Sequence, residues 1–267
     1  MTGFLDLHRP GDPLLCPNPW DAGSARILAA LGYQALATTS SGAAATLGRL
    51  DGSATRDEAL AAARAIVTAT GLPVTADLED GYGPTDADVA ETVRRAIDAG
   101  LAGCSVEDWK GDTVYDLDTA TARVAAAVEA AGDDIVLTAR ADNAFHGVED
   151  FADTLARMQA FDRAGAHVLY APGLERLEDI RALVAGVSKP VNVLMRPGGP
   201  TVAELAGAGV ARITVGGSFA FAALGALVEA AEELREHGTT GYSRLSAIGL
   251  RAAREAFAEP EDNAPEG

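Results

Sequence analysis

With 267 residues and 48% hydrophobic content the chain can bury one large core, and α/β barrels of this length commonly fold as a single domain. Its 39 acidic against 21 basic side chains leave a formal charge of −18, which sets it against the phosphate backbone of nucleic acids and against anionic membrane surfaces. Cys16 and Cys104 form no C-x-x-C pair, the N-terminus lacks the layout of a secretion signal, and no apolar run approaches the ~18 residues of a membrane span, so the expectation is a cytoplasmic protein.

In chain order, an apolar run at 14–17 leads to a helix over 22–31 that Asp21 is placed to cap. A second buried run at 35–38 is stopped by Ser40-Ser41-Gly42, and Ser53 or Thr55 introduces a helix over 56–69. The unit then recurs: strand 73–77 with helix 86–99, 103–106 with 118–131, 135–139 with 148–164, 167–171 with 175–185, 190–194 with 202–206, and 213–215 with 219–235. This alternation of short apolar strands with alanine-rich amphipathic helices predicts a parallel sheet covered by helices, and eight units in this length fit a (β/α)8 barrel better than an open sheet. Gly100, Gly132, Gly165 and Gly209 follow helices and read as C-caps. One more amphipathic helix, over 244–257, lies past the eighth unit. A single domain is expected over 1–258, with a frayed acidic tail over 259–267.

In such a barrel the chemistry lies where the strands end. The third strand runs into Asp77-Leu78-Glu79-Asp80-Gly81-Tyr82-Gly83, the fourth into Glu107-Asp108, the fifth into Arg140 with Asp142, and the seventh carries Asn192. Three carboxylates within four residues are not all ionised at neutral pH unless a positive charge lies between them. Acids on two adjacent strands, with one guanidinium on the next, point to a Mg²⁺ or Mn²⁺ site beside a clamp for a carboxylate or phosphonate. Strand alternation sends Asp77 and Glu79 to one side and Asp80 to the other. Asp77, Glu79 and Glu107 are therefore the metal candidates, and Asp80 is assigned to the Gly81-Tyr82-Gly83 turn. Asp80, Asp108 and Asp142 equally suit helix caps or solvated loops, and Arg140 also suits plain pairing with a neighbouring acid. His167 reads as a core residue, and the two cysteines as packed thiols.

Six segments carry a resemblance: Asn18-Pro19-Trp20-Asp21, Thr39-Ser40-Ser41-Gly42, Asp77-Leu78-Glu79-Asp80, Val106-Glu107-Asp108, Ala139-Arg140-Ala141-Asp142 and Val191-Asn192-Val193-Leu194. In these, and in their order along most of the chain, the sequence resembles the isocitrate lyase/phosphoenolpyruvate mutase superfamily. The resemblance implies a Mg²⁺-dependent barrel that binds a small 2-oxo-carboxylate or its enolate and makes or breaks a C–C or C–P bond beside it. It implies that Ser41, Gly42 and Ala43 hold the keto acid and that Asp51 lies near the metal. It also implies that Asp77, Glu79 and Glu107 bind Mg²⁺ largely through water and that Arg140 binds the substrate carboxylate, with Asn192 a further substrate contact. The superfamily's Asp-x-Asp is Asp77-x-Glu79 here.

The gating loop after the fourth strand distinguishes members of that superfamily. Lyases of the isocitrate and methylisocitrate type carry Lys-Lys-Cys-Gly-His there; residues 107–115 of this chain hold neither cysteine nor histidine, with Lys110 the sole candidate lid cation. Tyr170-Ala171-Pro172-Gly173 stands where those lyases place a glutamate. The expectation is therefore oxaloacetate decarboxylase-like or phosphonopyruvate-type cleavage rather than a tricarboxylic acid lyase. A phosphonomutase, or a non-catalytic metabolite-binding barrel that retains the metal site, is the alternative. Relatives that pack terminal helices imply a homo-oligomer, a dimer or tetramer, consistent with the helix over 244–257.

Overall fold

Short apolar runs become parallel strands here because each is followed by a helix that returns the chain to the same end of the sheet. The computed structural model describes residues 2–258; the expected frayed tail, 259–267, lies outside the described residues. The strands are β1 (Leu14–Leu15), β2 (Leu36–Ala37), β3 (Val74–Asp77), β4 (Gly103–Glu107), β5 (Val136–Arg140), β6 (Val168–Tyr170), β7 (Val191–Leu194) and β8 (Arg212–Thr214). All pairings are parallel, in the order β1-β8-β7-β6-β5-β4-β3-β2. The remaining seam, between β1 and β2, carries no ladder, but the Ala37 N–H donates to the Pro17 carbonyl across it at 3.0 Å. Asn18 reinforces the closure: its Nδ2 donates to Thr38 O at 2.8 Å while its Oδ1 accepts the Val215 and Gly216 amides at 2.9 and 3.0 Å. The result is the (β/α)8 barrel that the alternation predicts.

The helices are α1 (Thr2–Leu5), α2 (Ala22–Ala30), α3 (Ser40–Thr46), α4 (Arg56–Thr70), α5 (Asp86–Asp98), α6 (Leu117–Ala131), α7 (Phe151–Arg163), α8 (Leu177–Gly186), α9 (Val202–Gly207), α10 (Ser218–His237) and α11 (Ser243–Phe257). Asp21 caps α2 as expected, accepting from the Ser24 amide at 2.7 Å. Thr55, not Ser53, caps α4, and its reciprocal partner is Glu58; such a cap stabilises a helix by about 1 kcal/mol.

Ser40-Ser41-Gly42 ends the second run as expected, and a helix, α3, begins there, with the Thr39 side chain accepting from the Gly42 amide. One local reading is corrected: strand alternation does not reach Glu79, because β3 ends at Asp77 and Glu79 takes a left-handed φ of 48°. Its position is set by the turn, not by the pleat.

The main core lies between sheet and helices, and a smaller cluster of Phe4, Leu14, Cys16, Ala35, Ala37, Val136 and Val168 seals the N-terminal end of the barrel beneath α1. Helix α11 packs against α2. Among the described residues, no helix is long and apolar enough to cross a membrane.

Candidate active site

The strand ends gather one cation among four acids. Arg140, the last residue of β5, registers beside Glu107 on β4 and Tyr170 on β6. Its Nη1 lies 2.9 Å from both Asp77 Oδ1 and Glu107 Oε2. Its Nη2 and Nε grip Asp142 in a bidentate pair at 2.7 and 3.1 Å, and the guanidinium sits 5.3 Å from the centroid of the Tyr170 ring. The positive charge that the acidic strand ends require is thus supplied in part by the chain itself. Burial alone would lower the Arg140 pKa, but Asp142, Glu107 and Asp77 together push it well above its ordinary value. Burial lifts Glu107 and Asp142 above the usual carboxylate range against the pull of Arg140.

Asp77 is fixed from both sides: its amide donates to Thr38 Oγ1 at 3.0 Å, and its Oδ2 accepts the Ser40 amide at the start of α3 at 3.3 Å. Glu79 is half-buried, and its Oε1 has no hydrogen-bond partner among the described residues. Burial first, then the nearby charges of Asp77 and Asp51, raise its pKa to about 7. Asp51 itself is exposed, on the loop after α3, and faces the same cavity.

The remaining acids divide cleanly. Asp80 fixes the turn: its Oδ1 accepts the Tyr82 amide at 3.0 Å and its Oδ2 accepts the Tyr115 hydroxyl at 2.9 Å, while the buried Arg123 donates to its carbonyl at 2.7 Å. Asp108, 2% exposed, accepts the Asp142 amide at 2.8 Å and pairs with Arg157 at 3.0 Å, and burial lifts its pKa to about 6. Asp142 is neither a cap nor a solvated loop residue; it is the buried partner that orients Arg140.

A cavity of about 590 Å³ opens at this end of the barrel. Asp77, Arg140, Ser41, Asp51 and Asn192 line it, together with Tyr170 and the Gly216-Gly217-Ser218 turn. Glu79 and Glu107 stand behind that lining rather than in it. Ser41 Oγ lies 3.1 Å from Thr39 Oγ1, and a Cβ on Gly217 would fall 2.5 Å from Ser41 Oγ, so the β8 turn packs directly on this hydroxyl. Gly42 and Ala43 lie outside the lining, and their amides are already engaged with Thr39, at 3.4 Å to its Oγ1 and 3.0 Å to its carbonyl. Asn192 Nδ2 donates to Thr214 Oγ1 at 3.2 Å, leaving its buried Oδ1 without a partner among the described residues.

Lys110 is not a cavity residue. The loop after β4 is a tight hairpin, bridged between Trp109 and Val114, in which the Lys110 Nζ lies 5.8 Å from the centroid of the Tyr115 ring. The fold nevertheless brings a histidine to this loop: His146, from the segment after β5, stacks on Trp109 with centroids 3.5 Å apart and planes 7° apart. No spacing along the chain signals that contact. His167 is structural, its Nδ1 accepting the Leu137 amide at 2.9 Å, and burial pushes both cysteine thiols up to about 12.

Asp77, Glu79 and Glu107 offer only hard oxygen donors, the set that Mg²⁺ selects. Among the described residues no three His, Cys, Asp or Glu side chains converge closely enough to enclose a bare ion. The orphaned Glu79 Oε1 is a buried oxygen whose bonding a cation's coordinated water could complete.

The profile of the phosphoenolpyruvate phosphomutase family matches residues 4–235. The chain belongs to that family. Within it, the chain is 31% identical to 2-methylisocitrate lyase of Escherichia coli over 209 residues, 70% of each protein. A Burkholderia cenocepacia protein provisionally assigned as a lyase/mutase has a structure that superposes with a TM-score of 0.92 at 46% identity, covering 97% of this chain and 95% of the other. Oxaloacetate acetylhydrolase, solved with its product oxalate, superposes at 0.83 and 27% identity over 95% of this chain and 93% of its own. 2,3-Dimethylmalate lyase, a phosphoenolpyruvate mutase/isocitrate lyase superfamily member, superposes with a TM-score of 0.82 at 29% identity over 94% of each chain.

Proposed function

We propose that this phosphomutase-family barrel is a Mg²⁺-dependent enzyme that acts on a small 2-oxo-carboxylate and cleaves the C–C or C–P bond joining C3 to its leaving group, by way of enolpyruvate. The observation that carries the reading is the buried Asp77–Arg140–Glu107–Asp142 cluster at the barrel mouth, with the unpartnered Glu79 Oε1 behind it. Asp77, Glu79 and Glu107 would hold hydrated Mg²⁺, or Mn²⁺ in its place. When bound, the ion supplies Lewis-acid stabilisation of negative charge on the substrate's oxygens.

The chain's own groups do the rest. Asp142 holds Nε and Nη2 of Arg140 while Asp77 and Glu107 share its Nη1, so the guanidinium is fixed in one orientation and one Nη2 N–H is left to meet a substrate carboxylate. Ser41 and Tyr170 line the same cavity, and burial raises the Tyr170 pKa to about 12, so its hydroxyl stays neutral there. Phe145 and Pro172 give the mouth an apolar rim that limits water at the reacting carbon. Departing CO₂ needs no general acid, which suits a hairpin after β4 that contributes no proton donor to the cavity. The names of two relatives, 2-methylisocitrate lyase and oxaloacetate acetylhydrolase, support small carboxylates as the substrate class. Oligomerisation belongs to the same proposal: α10 and α11 leave Phe219, Phe221, Leu227, Val228, Leu245 and Ile248 exposed, a patch that a second copy would cover.

Purified protein is expected to release pyruvate from oxaloacetate, phosphonopyruvate or an alkylmalate only with Mg²⁺ or Mn²⁺ present. No turnover across that panel would sink the enzymatic reading. The placement of Lys110 outside the cavity favours one second reading, a metabolite-binding barrel. That reading requires Mg²⁺ with oxalate to raise the melting temperature while turnover stays absent.

A further inference from the structure

Below the acid cluster, the cavity reaches a second arginine. Ala37, Thr75 and Ser105 are smaller than the Val, Ile and Leu that usually fill barrel interiors, and the space extends down to Arg212 of β8. Arg212 is 2% exposed and sits just above the cluster that seals the barrel floor. Its Nη1 lies 3.2 Å from His8 Nε2, and its Nη2 donates to Thr138 Oγ1 at 3.2 Å. The His8 Nδ1 lies 3.1 Å from the Phe4 carbonyl, which can only accept, so Nδ1 carries the proton and Nε2 presents a lone pair to Arg212. His8 is therefore a neutral partner; burial and Arg212 lower its pKa to about 3. Cys16 and Tyr170, the other titratable groups facing Arg212, are also neutral, with pKa values raised to about 12.

Three cationic side chains line the cavity, and two are already matched. Arg140 is engaged by three carboxylates, and Arg196 pairs with Glu175 at 3.1 Å. Among the described residues Arg212 pairs with no acid, and its buried Nε has no partner at all. Leaving a guanidinium buried without a counter-charge is costly, and proteins retain such a group where a ligand completes it. Thr138, which Arg212 touches, lies two residues below Arg140 on β5, a step of ~7 Å along the strand, so the two arginines stand at successive levels of the same cavity.

We propose that Arg212 binds a second anionic group of the substrate at the cavity floor, so that the preferred ligand is a short dianionic acid, with its 2-oxo-carboxylate at the barrel mouth and a further carboxylate or phosphonate below. This rests on the 2-oxo-acid reading of the mouth. It assigns specificity for the distal anion to a residue outside the strand-end motifs.

The test compares matched acids that differ only in that distal group: 2-oxoglutarate against 2-oxovalerate, and malate against 2-hydroxybutyrate. Affinities are measured by calorimetry on the full chain with Mg²⁺ present. The unmodified protein is expected to prefer the diacid by about 10- to 100-fold in at least one pair. Arg212→Gln is expected to bring that pair within about 3-fold while leaving the monoacid affinity unchanged. Equal affinities within both pairs in the unmodified protein, or a full preference that survives Arg212→Gln, would overturn the proposal and leave the 2-oxo-acid reading standing. Binding of none of the four acids removes both together. If Arg212→Gln does not fold, Arg212→Lys decides: it must keep a preference for the diacid that is weaker than in the unmodified protein, and an unchanged preference rules Arg212 out.

Discussion

Replacing Arg140 with methionine removes the counter-charge that Asp77, Glu107 and Asp142 share. Those side chains are 18%, 12% and 1% exposed, so water screens them poorly. Taking one partner from a buried ion pair costs about 3–5 kcal/mol, because the remaining charges stay desolvated. For a chain of this length 1 kcal/mol moves the melting temperature by about 2–4 °C, so Arg140→Met should melt roughly 6–20 °C lower at pH 8 in metal-free buffer. The deficit should also depend on pH. Glu107 and Asp142 already titrate above the ordinary carboxylate range, and without the guanidinium they rise further. A carboxylate whose pKa is higher in the folded than in the unfolded state holds its proton more tightly when folded, so stability is lost as pH rises and recovered as it falls. Thermal melts of both proteins at pH 5.5 and pH 8 should therefore show a smaller deficit at the lower pH. A variant within about 3 °C of the unmodified protein at pH 8 would refute the claim that Arg140 compensates these acids, and so would a deficit equal at both pH values.

Glu79 gives the same sign on a smaller scale: with its pKa raised from 4.5 to about 7, its ionisation should destabilise the metal-free protein progressively between those values. Allowing for its partial exposure, Glu79→Gln should be about 1–2 kcal/mol more stable than the unmodified protein at pH 8 and equal to it near pH 4.5, by denaturant unfolding. It should also lose most of the stabilisation by Mg²⁺, and an unchanged Mg²⁺ response would remove Glu79 from the cation site. Gly42→Ala would place a Cβ 2.6 Å from Thr39 Cγ2 and 3.0 Å from Trp20 Cβ, so a loss of about 1–3 kcal/mol is expected, and a neutral result would mean that α3 shifts freely. Lys110→Ala should leave both stability, within about 0.5 kcal/mol, and kcat/KM unchanged, since its ammonium lies beside Tyr115 outside the cavity; a large fall in kcat would restore it as a lid residue.

The barrel was legible because its signals are local: a strand of a few apolar residues, a capped helix and a terminal glycine, repeated. Asp77, Glu107 and Arg140 were legible for a related reason, since each is the polar residue at which an apolar strand ends. What escaped depends on contacts distant in the chain. The helix that begins at Ser40, beyond the break in the second run, is hidden until the Thr39 cap is seen, and Glu79 reads as part of a strand until its left-handed backbone shows that the strand has already stopped. Asp142 could not be separated from a loop acid by composition, because its partner Arg140 stands two residues away and only the side-chain geometry joins them. Arg212 fell outside the expected strand 213–215 because a charge beside an apolar run reads as its boundary; here it is the first residue of β8, and its partner His8 lies 204 positions away.

The most direct test of the acid–arginine cluster as a metal-dependent 2-oxo-acid site is pyruvate release by purified protein from oxaloacetate, phosphonopyruvate and an alkylmalate, assayed with Mg²⁺ and with EDTA. The expected result is saturable release from one of these compounds, lost with EDTA and in a folded Asp77→Asn variant. Release that is the same with and without metal, or that survives Asp77→Asn unchanged, would contradict it.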